Sequence, residues 1–404
     1  MKKSRTSEEY DRSFPKEEIH ARIGRLQDLM RHHGFGGALI VQRADLFYFS
    51  GTGQDAHLFV PDEGEPRLMV RKSYERACME SPLEHISLVT GLSSVADQIR
   101  SHDWDHSLSL GMELDVVPAN NYLRYKQLFI EHSINDISPL IRNVRMVKSP
   151  LELEKIRAAA KMTDRMFGVV REMLTEGMTE LQLAGRLEAY YRERGHQGYT
   201  RVRSFNQEVF YGHLMSGPNL TLNGSSLGPH SGSGTNPSYP QGPGHRVIGN
   251  REPVLVDYGC GCDGYLVDQA RVFALRGIDE KFLDAHEVAR RIQHALIAQG
   301  LPGVEADALY HTACNLAAES GLGDRFMGYP TPVSFVGHGI GIEVDELPVI
   351  GLGSAHTLEA GMVLALEPKF FFPGEGLAGL ENTFVVTERG LERLTFFDDA
   401  IQIL

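Results

Sequence analysis

Apolar positions recur along this chain with two different periods. In "KEEIHARIGRLQDLM" the residues Ile19, Ile23, Leu26 and Met30 fall three and four apart, which predicts an amphipathic helix. "GALIV", "LFYF" and "RLMV" follow as short apolar runs of strand length, so the first part of the chain reads as an α/β domain. At "RMVKSPLELEKIRAAAKM", Ser149 offers a hydroxyl cap, Pro150 occupies the first helical position, and Glu152 lies three residues after the cap. That combination marks a helix start and predicts a second domain from there, dividing the chain into 1–148 and 149–404.

The second part reads twice over. Helical patterns at about 150–176 and 180–194 lead into strand-like segments ending near 275; a second pair at about 279–299 and 303–320 leads into strands from 333 to 397, consistent with two diverged halves. A pseudo-twofold axis between the halves is the corresponding expectation. Between the first helices and strands runs "SGPNLTLNGSSLGPHSGSGTNPSYPQGPGH", rich in Gly, Ser, Asn and Pro. A loop this long inside a compact domain is uncommon, which makes the stretch 216–245 a candidate border of an active site.

Composition narrows the partners. With 404 residues and 42% hydrophobic content the chain is long enough for two cored domains, and its formal net charge of -13 argues against a polyanion such as nucleic acid, whose binding draws on clustered Lys and Arg. The expected partner is a small molecule or peptide. The opening "MKKSRTSEEYDRSFPKEEIH" is charged with no apolar stretch after it, and no run of about 18 apolar residues occurs, so no membrane association and a cytoplasmic location are expected. Four cysteines, Cys78, Cys260, Cys262 and Cys314, are too scattered for a disulfide framework, and "CGC" without a second pair reads as small core or turn residues.

The stretch "VLVDYGCGCDGYLVDQARVF" carries the first chemistry. An Asp263-Gly264 turn would pair Cys262 with Tyr265 and hence Gly259 with Asp268. Alternation then puts Asp257 and Asp268 on one face as diagonal neighbours. Both carboxylates sit in apolar surroundings, and a buried unpaired carboxylate is expensive, so something cationic is implied. Downstream lie His338 in "SFVGHGIGIEV", Glu367 in "GMVLALEPKF" and Glu381 in "GLENTFVV". Four carboxylates meeting in one pocket would repel by about 4 kcal/mol per pair at about 4 Å and an effective dielectric near ~20. Two divalent ions offset that repulsion, and oxygen-rich ligation with one imidazole suits Mn, Fe, Co or Zn. A pair of such ions can bind a bridging hydroxide and polarise a carbonyl, as in hydrolysis.

Asp257 and Asp268 eleven apart, then "GHGIG", "ALEP" and a final "LENT" before "VVTERG", resemble the pita-bread metallopeptidases: methionine aminopeptidase, aminopeptidase P and prolidase, with creatinase as a relative. "VKSPLELEKIRAAA" and the α/β domain before it resemble the aminopeptidase P, prolidase and creatinase branch, so the resemblance covers most of the chain. It implies a creatinase-like α/β N-terminal domain, an α+β pita-bread catalytic domain and a homodimer. It also implies that Asp257 chelates one ion, that His338 and Glu367 chelate the other, that Asp268 and Glu381 bridge both, and that Glu367 handles the proton of the attacking water.

The sequence also departs from that branch. A second histidine, usual seven residues after the ligand histidine, is Asp345 here, and an ionised carboxylate cannot donate to an oxyanion. A further "Pro-His" histidine aligns without gaps at Pro240; "GPH" with His230 fits only if an insertion follows, and His213 and His245 are other imidazoles nearby. The arginine or other residue often found two before the last Glu is Gly379. The preferred reading is an Xaa-Pro peptidase of aminopeptidase P or prolidase type, with Glu367, Asp345 and His230 as catalytic candidates. The alternatives are a metalloenzyme acting on a non-peptide small molecule, by C–N hydrolysis or a lyase step, and a metal-stabilised binding protein.

Overall fold

The computed structural model describes residues 14–224 and 226–404; residues 1–13 of the charged opening stretch lie outside them. The chain forms two compact units that part between Arg145 and Met146, three residues before the junction read from Ser149.

In the first unit the strands β1 (Phe35–Ile40), β2 (Ala56–Pro61), β3 (Arg67–Val70), β4 (Ile86–Leu88), β5 (Ser109–Met112) and β6 (Ile134–Asp136) make one sheet in the order β4-β3-β2-β1-β5-β6. β2 runs antiparallel to both neighbours, and the remaining pairs are parallel. The helix Lys16–His33 buries Ile19, Ile23, Leu26 and Met30, the stripe its periodicity predicts. "LFYF" is a correction: it lies in the helix Arg43–Ser50, not in a strand. Gln42 caps that helix by accepting from the Asp45 N–H at 2.8 Å, and Leu46, Tyr48 and Phe49 are all buried. A four-residue run that is apolar throughout carries no period to separate helix from strand.

The second unit repeats the order helix, helix, antiparallel sheet. Its first helix, Pro150–Met173, starts as expected: Ser149 accepts from the Glu152 N–H at 3.2 Å while the Glu152 carboxylate accepts from the Ser149 N–H at 3.0 Å. The helix Glu180–Glu193 follows, then β7 (Gly212–Ser216), β8 (Val254–Tyr258), β9 (Cys260–Cys262), β10 (Tyr265–Val267) and β11 (Ala270–Ala274). The helices Glu280–Gln299 and Ala306–Glu319 open the second half. After them come β12 (Phe335–Gly339), β13 (Glu346–Gly351), β14 (Val363–Leu366), β15 (Lys369–Phe372), β16 (Gly376–Gly379), β17 (Asn382–Thr387), β18 (Gly390–Arg393) and β19 (Gln402–Ile403). One sheet has the order β19-β11-β8-β7 and the other β13-β12-β14-β17-β18, with β9–β10 and β15–β16 as separate hairpins.

The Asp263-Gly264 turn has positive φ at both residues, 49° and 89°, the geometry a two-residue hairpin needs. It pairs Cys262 with Tyr265, and the same register continues into Asp257 opposite Ala270. At the far side of β11, Ala270 forms an antiparallel bridge with Glu381, so the two sheets meet where the acidic residues lie.

Candidate metal centre

Strand register sets up a row of side chains across the meeting sheets. His213 pairs with Asp257, Asp257 with Ala270, and Ala270 with Glu381. Extending the register of Leu366 opposite Asn382 by one residue places Glu367 opposite Glu381. Directly opposed residues share a face, and the small Ala270 leaves space between the carboxylates flanking it. Asp268 is held alongside by Thr383: its N–H donates to Thr383 Oγ1 at 3.0 Å, and that hydroxyl donates to the Asp268 carbonyl at 2.7 Å. His338, on β12, pairs with Ala365, the residue opposite Thr383.

Three of the five expected ligands converge closely. Asp268, His338 and Glu381 each turn a donor atom to within 4.8 Å of the others, and His338 Nε2 lies 3.9 Å from Glu367 Oε1 and 3.9 Å from Glu381 Oε1. The other ring nitrogen, Nδ1, is 3.1 Å from the Gly339 carbonyl. A carbonyl only accepts, so Nδ1 carries the hydrogen and Nε2 turns its lone pair to the carboxylates, the arrangement of a metal-binding histidine. Glu381 Oε1 is buried without a hydrogen-bond partner among the described residues. A bare buried carboxylate oxygen facing an imidazole lone pair calls for a cation, and one divalent ion fits this donor set.

Lys369 lies in the same cage. Its Nζ donates to Asp257 at 2.8 Å, Glu367 at 2.7 Å and Glu381 at 3.1 Å, and its side chain is 0% exposed. Asp257, expected to chelate one ion, turns its Oδ2 to Lys369 and, at 3.1 Å, to His230 Nε2. Lys369 was missed in the sequence, although the signal was there. It lies two residues after Glu367, the spacing at which side chains of an extended chain share a face.

The electrostatics follow from these neighbours. Burial by itself would lower the Lys369 pKa, but the carboxylates of Asp257, Glu367 and Glu381 outweigh it and hold the ammonium well above its ordinary range. Burial would raise Asp257, yet Lys369 and His230 bring it below the usual carboxylate range. Asp268 and Glu381 are both pushed well up, chiefly by burial and then by neighbouring charge: Asp257 beside Asp268, and Asp268 beside Glu381 with Lys369 opposing. One ammonium is too little positive charge for four carboxylates.

The remaining candidates separate. The loop 216–245 does border the site, since it brings in His230. Glu180 holds the loop's two ends by accepting from the Ser216 N–H and Oγ, the Asn219 side chain and the Gly244 N–H at 2.7 to 2.9 Å. The His230 and His213 rings meet edge to face at 5.2 Å. His230 Nδ1 and His213 Nε2 have no hydrogen-bond partner among the described residues, and His230 Nε2 turns to Asp257. Burial, then His230, pushes the His213 pKa down to about 3, so that ring is neutral. His245 is exposed. Asp345 is an anchor and not a donor: its two oxygens accept from the Arg203 N–H at 2.9 Å and Ser204 Oγ at 3.0 Å.

Residues 154–388 match the model of metallopeptidase family M24, and residues 22–147 match the creatinase/prolidase N-terminal domain. The chain belongs to metallopeptidase family M24. This M24 chain is 26% identical over 393 residues to an Xaa-Pro dipeptidase of Lactobacillus delbrueckii subsp. lactis, covering 95% of this chain and 98% of that one. In fold it is similar to an Xaa-Pro dipeptidase from Bacillus anthracis, with a TM-score of 0.82 at 22% identity over 96% of this chain and 100% of that one. It is likewise similar to the prolidase of Pyrococcus horikoshii OT3, with a TM-score of 0.78 at 23% identity over 94% and 99%. Both the creatinase-like first unit and the pita-bread second unit are thereby accounted for. As in M24 generally, divalent metal is implied. No helix among the described residues is long and apolar enough to cross a membrane.

Proposed function

We propose that this protein is a divalent-metal-dependent hydrolase of Xaa-Pro type, cleaving short peptides at the bond preceding proline. The observation that carries the reading is the bare Glu381 Oε1 facing the His338 Nε2 lone pair beside Asp268, within an M24 chain whose full-length relatives include proteins named Xaa-Pro dipeptidase. The non-peptide alternative is not favoured by those relatives.

Asp268, His338 and Glu381 would hold the ion, with Glu367 Oε1 beside them. A divalent ion bound there supplies Lewis-acid polarisation and makes water a better nucleophile at neutral pH. Glu367 Oε2 is engaged by Lys369, which leaves Oε1 to accept the proton of the attacking water. His213, whose Nε2 has no hydrogen-bond partner among the described residues, and His230 beside it would serve as donors to the substrate carbonyl in place of Asp345. Manganese, cobalt, zinc or iron all suit this donor set. A cytoplasmic location and a homodimer are part of the same reading, and the homodimer is what the family resemblance implies.

A panel of Xaa-Pro dipeptides and longer Xaa-Pro peptides, set beside non-peptide amides, tests the reading. Turnover of the proline peptides with Mn2+ or Co2+, lost on chelation, is expected. Hydrolysis of the amides alone would remove the peptidase assignment.

A further inference from the structure

We propose that Lys369 is a built-in cation standing in for one of the two metal ions, so that this centre binds a single divalent ion at Asp268, His338 and Glu381. The inference rests on the metal-dependent reading above and deepens it by setting the number and position of the ions.

Hydrogen bonding carries the first part of the argument. An ammonium has three hydrogens, and those of Lys369 are matched by three carboxylate oxygens from three residues, at 2.7, 2.8 and 3.1 Å. A transition-metal ion binds carboxylate oxygen at about 2.0 to 2.2 Å. An ion within that reach of the same oxygens would overlap the Nζ that already sits between them. The ammonium and a second ion therefore exclude each other.

The lysine is also guided into that position. Lys369 opens β15, and its cross-strand partner is Gly379 on β16. A Cβ added at Gly379 would come within 2.7 Å of Lys369 Cα and 2.9 Å of its Cγ. Gly379 thus clears the path along which the lysine stem turns inward. Lys369 and Gly379 lie in register with each other, and together they deliver one positive charge to the cage.

Charge counting agrees. Asp257, Asp268, Glu367 and Glu381 supply four negative charges and Lys369 one positive. A single divalent ion leaves one net negative charge, whereas two would leave one net positive charge in a buried site. The atoms that Lys369 does not reach are those best placed for the one ion: His338 Nε2, the bare Glu381 Oε1 and the Asp268 carboxylate.

The test is a metal count on the full chain. Protein stripped with chelator is titrated with Co2+, followed by its visible absorption, and bound Co2+ or Mn2+ is measured by elemental analysis after dialysis. One ion per wild-type chain is expected. Two would overturn this inference and leave the metal-dependent reading intact, and none would overturn that reading and this inference with it. Lys369→Ala should raise the count from one to two; a variant that folds and still stops at one would overturn the exclusion by Lys369. Should that variant fail to fold, the wild-type endpoint decides together with two others. His338→Ala should lose the ion and Asp257→Asn should keep it, and the reverse pattern would overturn the placement.

Discussion

Two cations with no exposed side-chain surface lie on either side of Glu381, and they are satisfied in different ways. Lys369 and Arg271 are both 0% exposed. Arg271 donates to the carbonyls of Ala270, Glu381, Phe397 and Asp398 and to the side chains of Asn382 and Asp399, all at 2.7 to 2.8 Å. Most of its partners are neutral. Asp399 also accepts from Arg393 at 2.6 Å, so two guanidinium groups share one carboxylate, and peptide oxygens absorb the surplus. Lys369 has the opposite surroundings, with three carboxylates within 3.1 Å, Asp268 beside them, and a bare Glu381 oxygen. Depth of burial does not separate a structural ion from a functional one; completeness does. The Arg271 network closes on itself, whereas the Lys369 cluster remains short of positive charge.

The comparison breaks most visibly at Arg271. Arg271→Met leaves Asp399 and several carbonyls without their donor and should cost about 3–5 kcal/mol, the range for removing one partner of a buried pair. Urea unfolding measures it, and added Mn2+ should restore nothing beyond the gain it gives the wild type. Lys369→Met should come next, destabilising the metal-free protein by about 3 kcal/mol on the same basis. Here metal should compensate. An ion present at about a hundred times its Kd contributes about 2.7 kcal/mol, so the variant should gain more from Mn2+ than the wild type does. Equal gains would erase the distinction between the two cations.

Thr383→Val strips the hydroxyl that holds both backbone groups of Asp268 and should cost about 1–3 kcal/mol, the range for a buried donor left unmatched. It should also weaken Co2+ binding, and unchanged binding would show that Asp268 is positioned otherwise. The smallest effect belongs to acid. His286 Nε2 contacts the Asp399 carbonyl at 2.6 Å, and burial, helped by Arg271, lowers its pKa below the ordinary 6.5. The unfolded chain then takes up a proton before the folded one does. Stability is full above about pH 6.5 and falls as the pH drops toward the depressed value. His286→Gln should flatten that part of a melting-temperature profile, and an unchanged slope would take His286 out of it.

Much of this was legible before any coordinates. A two-residue Asp-Gly turn dictates its own register, so the common face of Asp257 and Asp268 could be derived from spacing. The Ser149 cap and the helices after it were equally plain, because cap chemistry and the helical period are local. "LFYF" misled because a short run that is apolar throughout has no polar face to betray its period. Lys369 stands in "GMVLALEPKF" two residues after Glu367, and Gly379 stands two residues before Glu381. Neither alone implies anything, since a lysine opening a strand is ordinarily solvated.

Residue order and motif spacing were sufficient for the family and for the fold class, because these depend on the order of motifs and on periods that are local to each element. The charge balance of the centre was decided in three dimensions. Pairing β15 with β16 sets Lys369 against a residue that has no side chain, and that steric opening turns an ammonium inward among the carboxylates. Contacts of that kind join segments whose pairing no local period records.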